Sequence, residues 1–219
     1  METVLILDFG AQYSQLIARR VREQNVYCEV KPCSISPDGI RKLAPIGIIL
    51  SGGPQSVYES VSLHVDPALF SLGIPVLGIC YGCQLMAYSL GGTVAAATEA
   101  TAREYGKTLT EFDTESAIFH GLPASSVTWM SHGDYISQVP DGFTVTAKTA
   151  VCPTAAMACP EKKLYGVQFH PEVQHTVQGS EILRRFLYSV CGASGDWTMA
   201  DYRQTAIRAI REKVGSGRA

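Results

Sequence analysis

Short apolar runs bounded by glycine, proline and serine alternate with stretches of helical spacing along most of the chain. Such alternation is typical of β-α-β units built around a parallel sheet. The apolar runs that predict strands of this sheet are residues 4–9, 27–31, 46–50, 75–79 and 164–169. The pattern therefore predicts an α/β fold, with an open, mostly parallel twisted sheet flanked by helices.

Helices are predicted where apolar residues recur every three to four positions. The first follows Gly10, and its apolar residues are Tyr13, Leu16, Ile17 and Val21. A short helix is predicted from Asp66, which can cap the first turn, to Gly73. Ser180 is the predicted N-cap of a further helix that ends at Gly192.

Two later regions have a different pattern. Between residues 92 and about 166, short runs rich in valine, threonine, tyrosine and alanine predict a smaller region of antiparallel strands on one side of the sheet. Thr198 and Asp201 form the capping-box start of a final amphipathic helix. We expect one domain over residues 1–195 and a helical tail over 196–219. Such a tail either docks on its own domain, which is the commoner case, or leads into another domain.

The composition narrows the classes of protein that fit. Hydrophobic residues make up 46% and charged residues 17% of the chain, which favours a buried core over disorder. A net charge of −2 offers no basic surface, so we expect neither nucleic acid nor a membrane as partner. The chain begins without a signal-peptide pattern, and no apolar stretch approaches the ~18 residues that span a bilayer. Seven cysteines, an odd count, favour a reducing compartment, and we expect the cytoplasm.

Cys80 lies between Gly78 and Gly82, where a predicted strand is followed by a helical segment. This spacing matches the G-x-S-x-G nucleophile elbow with sulfur in place of oxygen, in which the glycines permit a tight turn that exposes the side chain. The N-terminus of the following helix favours a thiolate. The alternative interpretation is a small buried cysteine between a strand and a helix.

A catalytic cysteine needs a base and a group that orients the base. His170 and Glu172 follow another predicted strand directly, and Pro171 fixes the turn between them. Because parallel strands end at one edge of the sheet, His170 can reach Cys80 despite their distance in sequence. An isolated histidine at a strand end is more often structural, but the elbow and this motif together favour catalysis.

A glycine-rich run at residues 51–54 follows a third strand at the same predicted edge. Glycines let backbone N–H groups approach a substrate closely, and we assign an oxyanion hole to the N–H groups of Gly53 and Tyr81. A phosphate loop is disfavoured there, because the run lacks lysine and enters no clear helix.

Two other roles for the cysteines compete with catalysis by a triad. Cys80 and Cys83 have the C-x-x-C spacing of a thioredoxin-type redox pair, which is the main rival from another class. A redox pair leaves His170 and Glu172 without a role. A zinc site lacks the paired short spacings it needs among Cys28, Cys33, Cys152 and Cys159.

Three motifs in this order resemble the class I (triad) glutamine amidotransferases over about residues 3–192. They are Ile49-Leu50-Ser51-Gly52-Gly53-Pro54, Gly78-Ile79-Cys80-Tyr81-Gly82 and Gly166-Val167-Gln168-Phe169-His170-Pro171-Glu172. The resemblance implies that Cys80 attacks the side-chain amide of glutamine, that His170 protonates the departing ammonia, and that a glutamyl thioester is then hydrolysed. It also implies a set of substrate-binding residues, namely Gln84, Ser131, His132 and Asp134. Without the family, His132 and Asp134 would be interpreted as part of a loop turn.

Within the family, the runs Leu7-Asp8-Phe9-Gly10 and Trp129-Met130-Ser131-His132-Gly133-Asp134 resemble one branch. Its amidotransferase part supplies ammonia to an ATP pyrophosphatase (synthetase) domain that aminates xanthosine monophosphate (XMP). The resemblance implies ATP and Mg²⁺ only for that synthetase domain or subunit, which this sequence does not contain, and no cofactor for glutamine hydrolysis. The alternatives are ammonia suppliers for anthranilate or carbamoyl phosphate synthesis, and a catalytically silent subunit. Cys83 stands where the family usually has methionine, so oxidative pairing with Cys80 is a further hypothesis.

Overall fold

The computed structural model describes residues 2–59, 62–97 and 103–215, and strands and helices alternate over its first half. The strands are β1 (Thr3–Asp8), β2 (Tyr27–Pro32), β3 (Gly47–Leu50), β4 (Val76–Ile79), β5 (Thr93–Ala96), β6 (Glu104–Phe112), β7 (Ser125–His132), β8 (Asp134–Gln138), β9 (Thr144–Lys148), β10 (Ala156–Cys159) and β11 (Leu164–Val167). The helices are α1 (Ser14–Glu23), α2 (Pro37–Leu43), α3 (Tyr81–Ser89), α4 (Gly179–Arg185) and α5 (Met199–Val214). Shorter helical turns are the 3₁₀ segments Pro67–Ser71 and Pro160–Lys162 and a π-helical segment, Phe186–Val190, directly after α4.

Within the described residues, nine strands form one sheet in the order β2-β1-β3-β4-β11-β10-β9-β6-β7. The five strands from β2 to β11 in this order run parallel to one another. The remaining four are antiparallel, while β5 and β8 pair in a separate small sheet. The α/β prediction is therefore confirmed, including the antiparallel region on one side.

Four of the five parallel strands, β1, β3, β4 and β11, have nearly continuous apolar sequences because both faces of the sheet are covered there. On one face, alternate residues such as Val4 and Ile6 of β1 belong to a core that includes residues of α1 and α4. On the other face, Leu5 and Leu7 belong to a core that includes residues of α3 and the 3₁₀ turn Pro67–Ser71. The loops at the carboxyl ends of these strands are thus held by a rigid, two-sided core.

Two helix predictions need correction. The segment after Asp66 is a 3₁₀ turn, although the Asp66 side chain does cap it by accepting a hydrogen bond from the Ala68 N–H. Ser180 is not an N-cap, because α4 already begins at Gly179. The Ser180 hydroxyl instead accepts a hydrogen bond from Nε2 of Gln24 at 2.9 Å.

Helix α2 was not predicted, although its start follows ordinary capping rules. The Ser36 hydroxyl accepts a hydrogen bond from the Gly39 N–H, and Pro37 occupies the first helical position. The helix has seven residues, of which only Ile40 is buried. A single buried residue produces no helical period, which explains why hydrophobic spacing did not reveal it.

Helix α5 has the predicted start, since the Thr198 hydroxyl accepts a hydrogen bond from the Asp201 N–H at 3.1 Å. Its first turn contacts the domain through Tyr202, whose ring stacks on Tyr27 at 5.4 Å between centroids. Farther along, the side chains of Ile207 and Ile210 are exposed. Among the described residues, no helix combines the length and apolar character needed to cross a membrane. The boundary at residue 195 stays a prediction.

Candidate active site

Cys80 connects β4 to α3 at a backbone turn that is unfavourable for a residue with a side chain. Its φ is +52°, in the region that favours glycine. A Cβ at Gly78 would lie 2.6 Å from the carbonyl oxygen of Gly82, and a Cβ at Gly82 would lie 2.5 Å from that of Leu50. Neither position has room for a Cβ atom, so both must be glycine. The surrounding core stabilises the strained turn.

His170 and Glu172 form a buried pair beside this turn. Nδ1 of His170 lies 2.8 Å from Oε1 of Glu172, and Glu172 is almost fully buried. The backbone on either side of the imidazole is held by two hydrogen bonds, one from the His170 N–H to the Trp129 carbonyl and one from the Thr176 hydroxyl to the His170 carbonyl. With Nδ1 directed at the carboxylate, the other ring nitrogen is available to a second partner.

That second partner is Cys80, and the interaction changes the proton affinity of the imidazole. Burial lowers the pKa of His170, but the Cys80 thiolate and the Glu172 carboxylate outweigh burial and raise it from 6.5 to about 10. An imidazolium beside a thiolate is the arrangement that activates a cysteine nucleophile. The structure thus brings together the three residues of the predicted triad.

The sulfur of Cys80 has two further neighbours. Its Sγ lies 3.7 Å from the carbonyl oxygen of Ser131 and 3.7 Å from Nε2 of Gln168. Gln168 was not singled out from the sequence, although a polar residue between apolar ones at the end of a buried strand is an unusual feature that could have drawn attention.

The glycine-rich loop after β3 lies against the same turn, and hydrogen bonds of Ser51 hold it. The Ser51 hydroxyl accepts from the Phe9 N–H at 3.1 Å and donates to the Gly52 carbonyl at 2.9 Å. Within the described part of the chain, no hydrogen bond occupies the backbone N–H of Gly53 or of Tyr81. Both residues line the pocket beside Cys80, so two unpaired donors are present where the oxyanion hole was predicted.

A pocket of about 450 Å³ opens beside Cys80, and the four residues predicted to bind substrate all line it. The Asp134 carboxylate is held in place by the hydroxyl groups of Ser56 and Tyr58. Arg103, which was not predicted, also lines the pocket and provides a positive charge. A smaller pocket of about 210 Å³ lies beside Cys80 as well and is lined in part by Tyr13 and His170.

The His132 side chain is buried, and the residue also lines the pocket beside Cys80. It lies opposite Glu104 across the β6–β7 pair, and its Nε2 is 3.4 Å from Oε2 of that residue. Cys152 completes a cluster in which one ligand atom of each residue lies within 4.8 Å of the others, so this group has the donor types of a metal site. Burial raises the pKa of the Cys152 thiol to about 12.

Cys83 occupies a different environment from Cys80. It is fully buried against β11, where a Cβ at Gly166 would lie 2.5 Å from its sulfur. Burial raises the pKa of the Cys83 thiol well above its ordinary value. All seven cysteines of the sequence lie in the described ranges, and each is a free thiol there. An inert, buried thiol is unfavourable for the redox alternative.

Comparisons with known proteins identify the family of this chain. The family model described as glutamine amidotransferase class-I matches residues 5–190. The GMP synthase [glutamine-hydrolyzing] of Acetivibrio thermocellus is 56% identical over 214 residues, which are 98% of this chain and 41% of that protein. The enzyme of the same name from Clostridium botulinum strain Alaska E43 is 53% identical over 99% of this chain and 42% of its own length. This chain therefore spans about two fifths of the length of these relatives.

Solved structures show the same architecture. A crystal structure from Thermoplasma acidophilum, described as that of a GMP synthase subunit, has a TM-score of 0.75 and 30% identity, and the match covers 94% of this chain and 98% of that one. A glutamine amidotransferase from Thermotoga maritima has a TM-score of 0.67 at 19% identity over 88% of this chain and 99% of its own, which supports the fold alone. With a family model that matches most of its length, the chain belongs to the class I glutamine amidotransferases.

Proposed function

We propose that this chain hydrolyses glutamine to glutamate and ammonia, with Cys80 as nucleophile, His170 as general acid and base, and Glu172 as the group that orients the imidazole. The observation that carries the proposal is the strained turn that presents the Cys80 sulfur to a buried imidazole–carboxylate pair. Family membership provides the amidotransferase chemistry, and the geometry supports the residue roles.

The proposed reaction has two stages. The Cys80 thiolate attacks the side-chain amide carbon of glutamine, and the N–H groups of Gly53 and Tyr81 stabilise the oxyanion that forms. The imidazolium of His170 protonates the amide nitrogen, the C–N bond breaks, and ammonia leaves a glutamyl thioester. His170 then removes a proton from water, which attacks the thioester and releases glutamate and the thiolate. These steps use side chains, backbone and water, and none requires a metal or an organic cofactor.

Recognition of glutamine requires groups for both ends of an amino acid. Asp134 is proposed to pair with the α-ammonium group, and Ser131 lies beside it on the pocket wall. The Gln84 amide nitrogen already donates to the Asp134 carbonyl at 2.8 Å, which leaves the amide oxygen of Gln84 for the substrate. His132 is proposed to act indirectly, by holding the backbone of this wall through its contact with Glu104.

The ammonia is proposed to aminate XMP to GMP on an ATP pyrophosphatase (synthetase) domain or subunit. The support is the identity of 53–56% to proteins named GMP synthase, of which this chain matches about two fifths. ATP and Mg²⁺ are proposed only for that partner. A cytoplasmic location stays a prediction from the cysteine content.

The decisive experiment measures glutamate release from glutamine by the wild-type chain and by Cys80→Ala and His170→Ala, with and without a separately supplied XMP-activating synthetase domain. We expect Cys80→Ala to abolish release, and the synthetase with XMP and ATP to raise wild-type release. No turnover with the partner, together with no labelling of Cys80 by a glutamine-like electrophile, would contradict the proposal. Stimulation by an anthranilate or carbamoyl phosphate synthetase instead would overturn only the choice of partner.

A further inference from the structure

Gln168 is a buried polar residue beside the proposed nucleophile that the mechanism above does not use. It follows β11 directly, two residues before His170, and is fully buried. Its side-chain Nε2 lies 3.7 Å from Sγ of Cys80. Because burying an amide is costly unless its groups are hydrogen-bonded, the partners of this side chain explain why it is tolerated there.

The neighbouring groups determine which end of the Gln168 amide faces the sulfur. The backbone carbonyl of Asp134 can only accept a hydrogen bond, so Gln84 must direct its amide nitrogen toward it, at 2.8 Å. The same nitrogen carries a second hydrogen, which it donates to Oε1 of Gln168 at 3.1 Å. The oxygen of Gln168 therefore faces Gln84, and its nitrogen faces Cys80.

We propose that Gln168 is a further catalytic residue of the glutaminase reaction, whose side-chain N–H stabilises the Cys80 thiolate by a hydrogen bond. The inference rests on the proposed function and deepens it. The two polar neighbours of the sulfur favour different states, because the Ser131 carbonyl can only accept from the thiol, whereas the Gln168 amide can donate to the thiolate. A neutral amide supports the anion without taking up its proton, and proton transfer is left to His170.

The test uses two substitutions of Gln168 in the full chain. Gln168→Glu has the same shape and keeps an acceptor for Gln84, but it places a carboxylate oxygen at the sulfur. Gln168→Leu removes the donor without adding a charge. The readouts are the pH dependence of Cys80 alkylation by iodoacetamide, followed at the Cys80 peptide by mass spectrometry, and the kcat and KM of glutamate release. Gln138→Glu and Gln138→Leu, at an exposed residue of β8, are the matched controls.

We expect the midpoint of the alkylation profile to move upward by about one pH unit or more in both Gln168 variants, and more in Gln168→Glu than in Gln168→Leu. Loss of a hydrogen bond to a charged group corresponds to roughly a tenfold or larger fall in kcat at neutral pH. KM is expected to change less, because the contact between Gln168 and the Cys80 sulfur does not involve the α-amino or α-carboxylate group of the substrate glutamine. The Gln138 variants are expected to match the wild type.

An unchanged alkylation midpoint in both Gln168 variants would overturn the proposal. A wild-type alkylation profile in Gln168→Glu together with an altered profile in Gln168→Leu would also overturn the proposal. That result would mean that Gln168 serves only as the hydrogen-bond acceptor for Gln84. Alkylation needs no turnover, so this test is separate from that of the proposed function. A chain that releases no glutamate but shows the shifted midpoints would contradict the function and leave the Gln168–Cys80 interaction supported.

Discussion

Within residues 2–59, 62–97 and 103–215, two buried clusters each contain a cysteine, a histidine and a glutamate, and they differ in backbone geometry and in access to a pocket. The first consists of Cys80, His170 and Glu172, and the second of Cys152, His132 and Glu104. In the first, the cysteine lies on a turn with positive φ and lines two pockets. In the second, the cysteine is buried and the pKa of its thiol is raised to about 12.

The contrast shows that the same residue types can occupy very different surroundings. Cys80 precedes the first turn of α3, so the backbone dipoles of the helix favour a negative charge at its side chain. Cys152 lies in a loop, where desolvation disfavours the thiolate. We therefore expect access, backbone geometry and the local electric field to make Cys80, rather than Cys152, the reactive thiol.

Replacing the cysteine of each cluster with serine, one at a time, is expected to give the largest effect on glutamate release and the clearest difference between the two clusters. Cys80→Ser replaces the proposed nucleophile with one that ionises far less readily, and glutamate release is expected to fall by roughly 10⁴-fold or more. Cys152→Ser is expected to stay within about threefold of the wild type. Both are measured as glutamate release at saturating glutamine. Equal losses in the two variants would remove the distinction between the clusters.

The two carboxylates provide the next comparison. Glu172→Gln removes the group that orients the His170 imidazole, and we expect glutamate release to fall by about 10²- to 10⁴-fold. Glu104→Gln weakens the contact with His132, and we expect chiefly a loss of about 1–3 kcal/mol in the free energy of unfolding. Denaturant titrations and turnover assays on both variants separate the effects. A larger loss of turnover in Glu104→Gln than in Glu172→Gln would reverse the assignment.

The pKa of His170 is expected to depend on the presence of Cys80 but not on that of Cys152. Burial lowers the pKa of His170, and the Cys80 thiolate and Glu172 raise it to about 10. Without Cys80, only Glu172 opposes burial, so Cys80→Ser is expected to move the pKa of His170 down, toward 6.5. Cys152→Ser is expected to leave it unchanged. NMR titration of the imidazole resonances measures both, and an unaltered His170 titration in Cys80→Ser would contradict the thiolate–imidazolium pair.

Cys83 is expected to give the smallest effect. It lies three residues after Cys80, but its sulfur packs into the core against β11 rather than facing a pocket. Cys83→Ser is therefore expected to change glutamate release by less than about threefold, with a cost of about 1 kcal/mol in the free energy of unfolding for the buried hydroxyl. Loss of turnover comparable to Cys80→Ser would return the redox pair to consideration.

The parallel half of the sheet was predictable because each of its strands is indicated by a short run of consecutive residues. Strands covered on both faces have continuous apolar runs, and β1, β3, β4 and β11 lie within one or two residues of their predicted bounds. The antiparallel half was predicted only as a region. Its strands alternate buried and exposed residues irregularly, and pairs such as β6 with β7 depend on contacts between segments that are distant in sequence.

The sequence by itself determined where the candidate chemistry lies, since the Gly78–Gly82 elbow and the His170–Glu172 pair are each confined to a few consecutive residues. Tertiary structure decided which groups contact the Cys80 sulfur, including Gln168, whose position in an apolar run is visible in the sequence but whose partner is not. It also decided that the His132 imidazole lies beside Glu104, because strand pairing brings those side chains together. A turn depends on a few neighbouring residues, so its sequence predicts it. Which side chains contact each other across a sheet depends on strand register, and register is determined only when the chain folds.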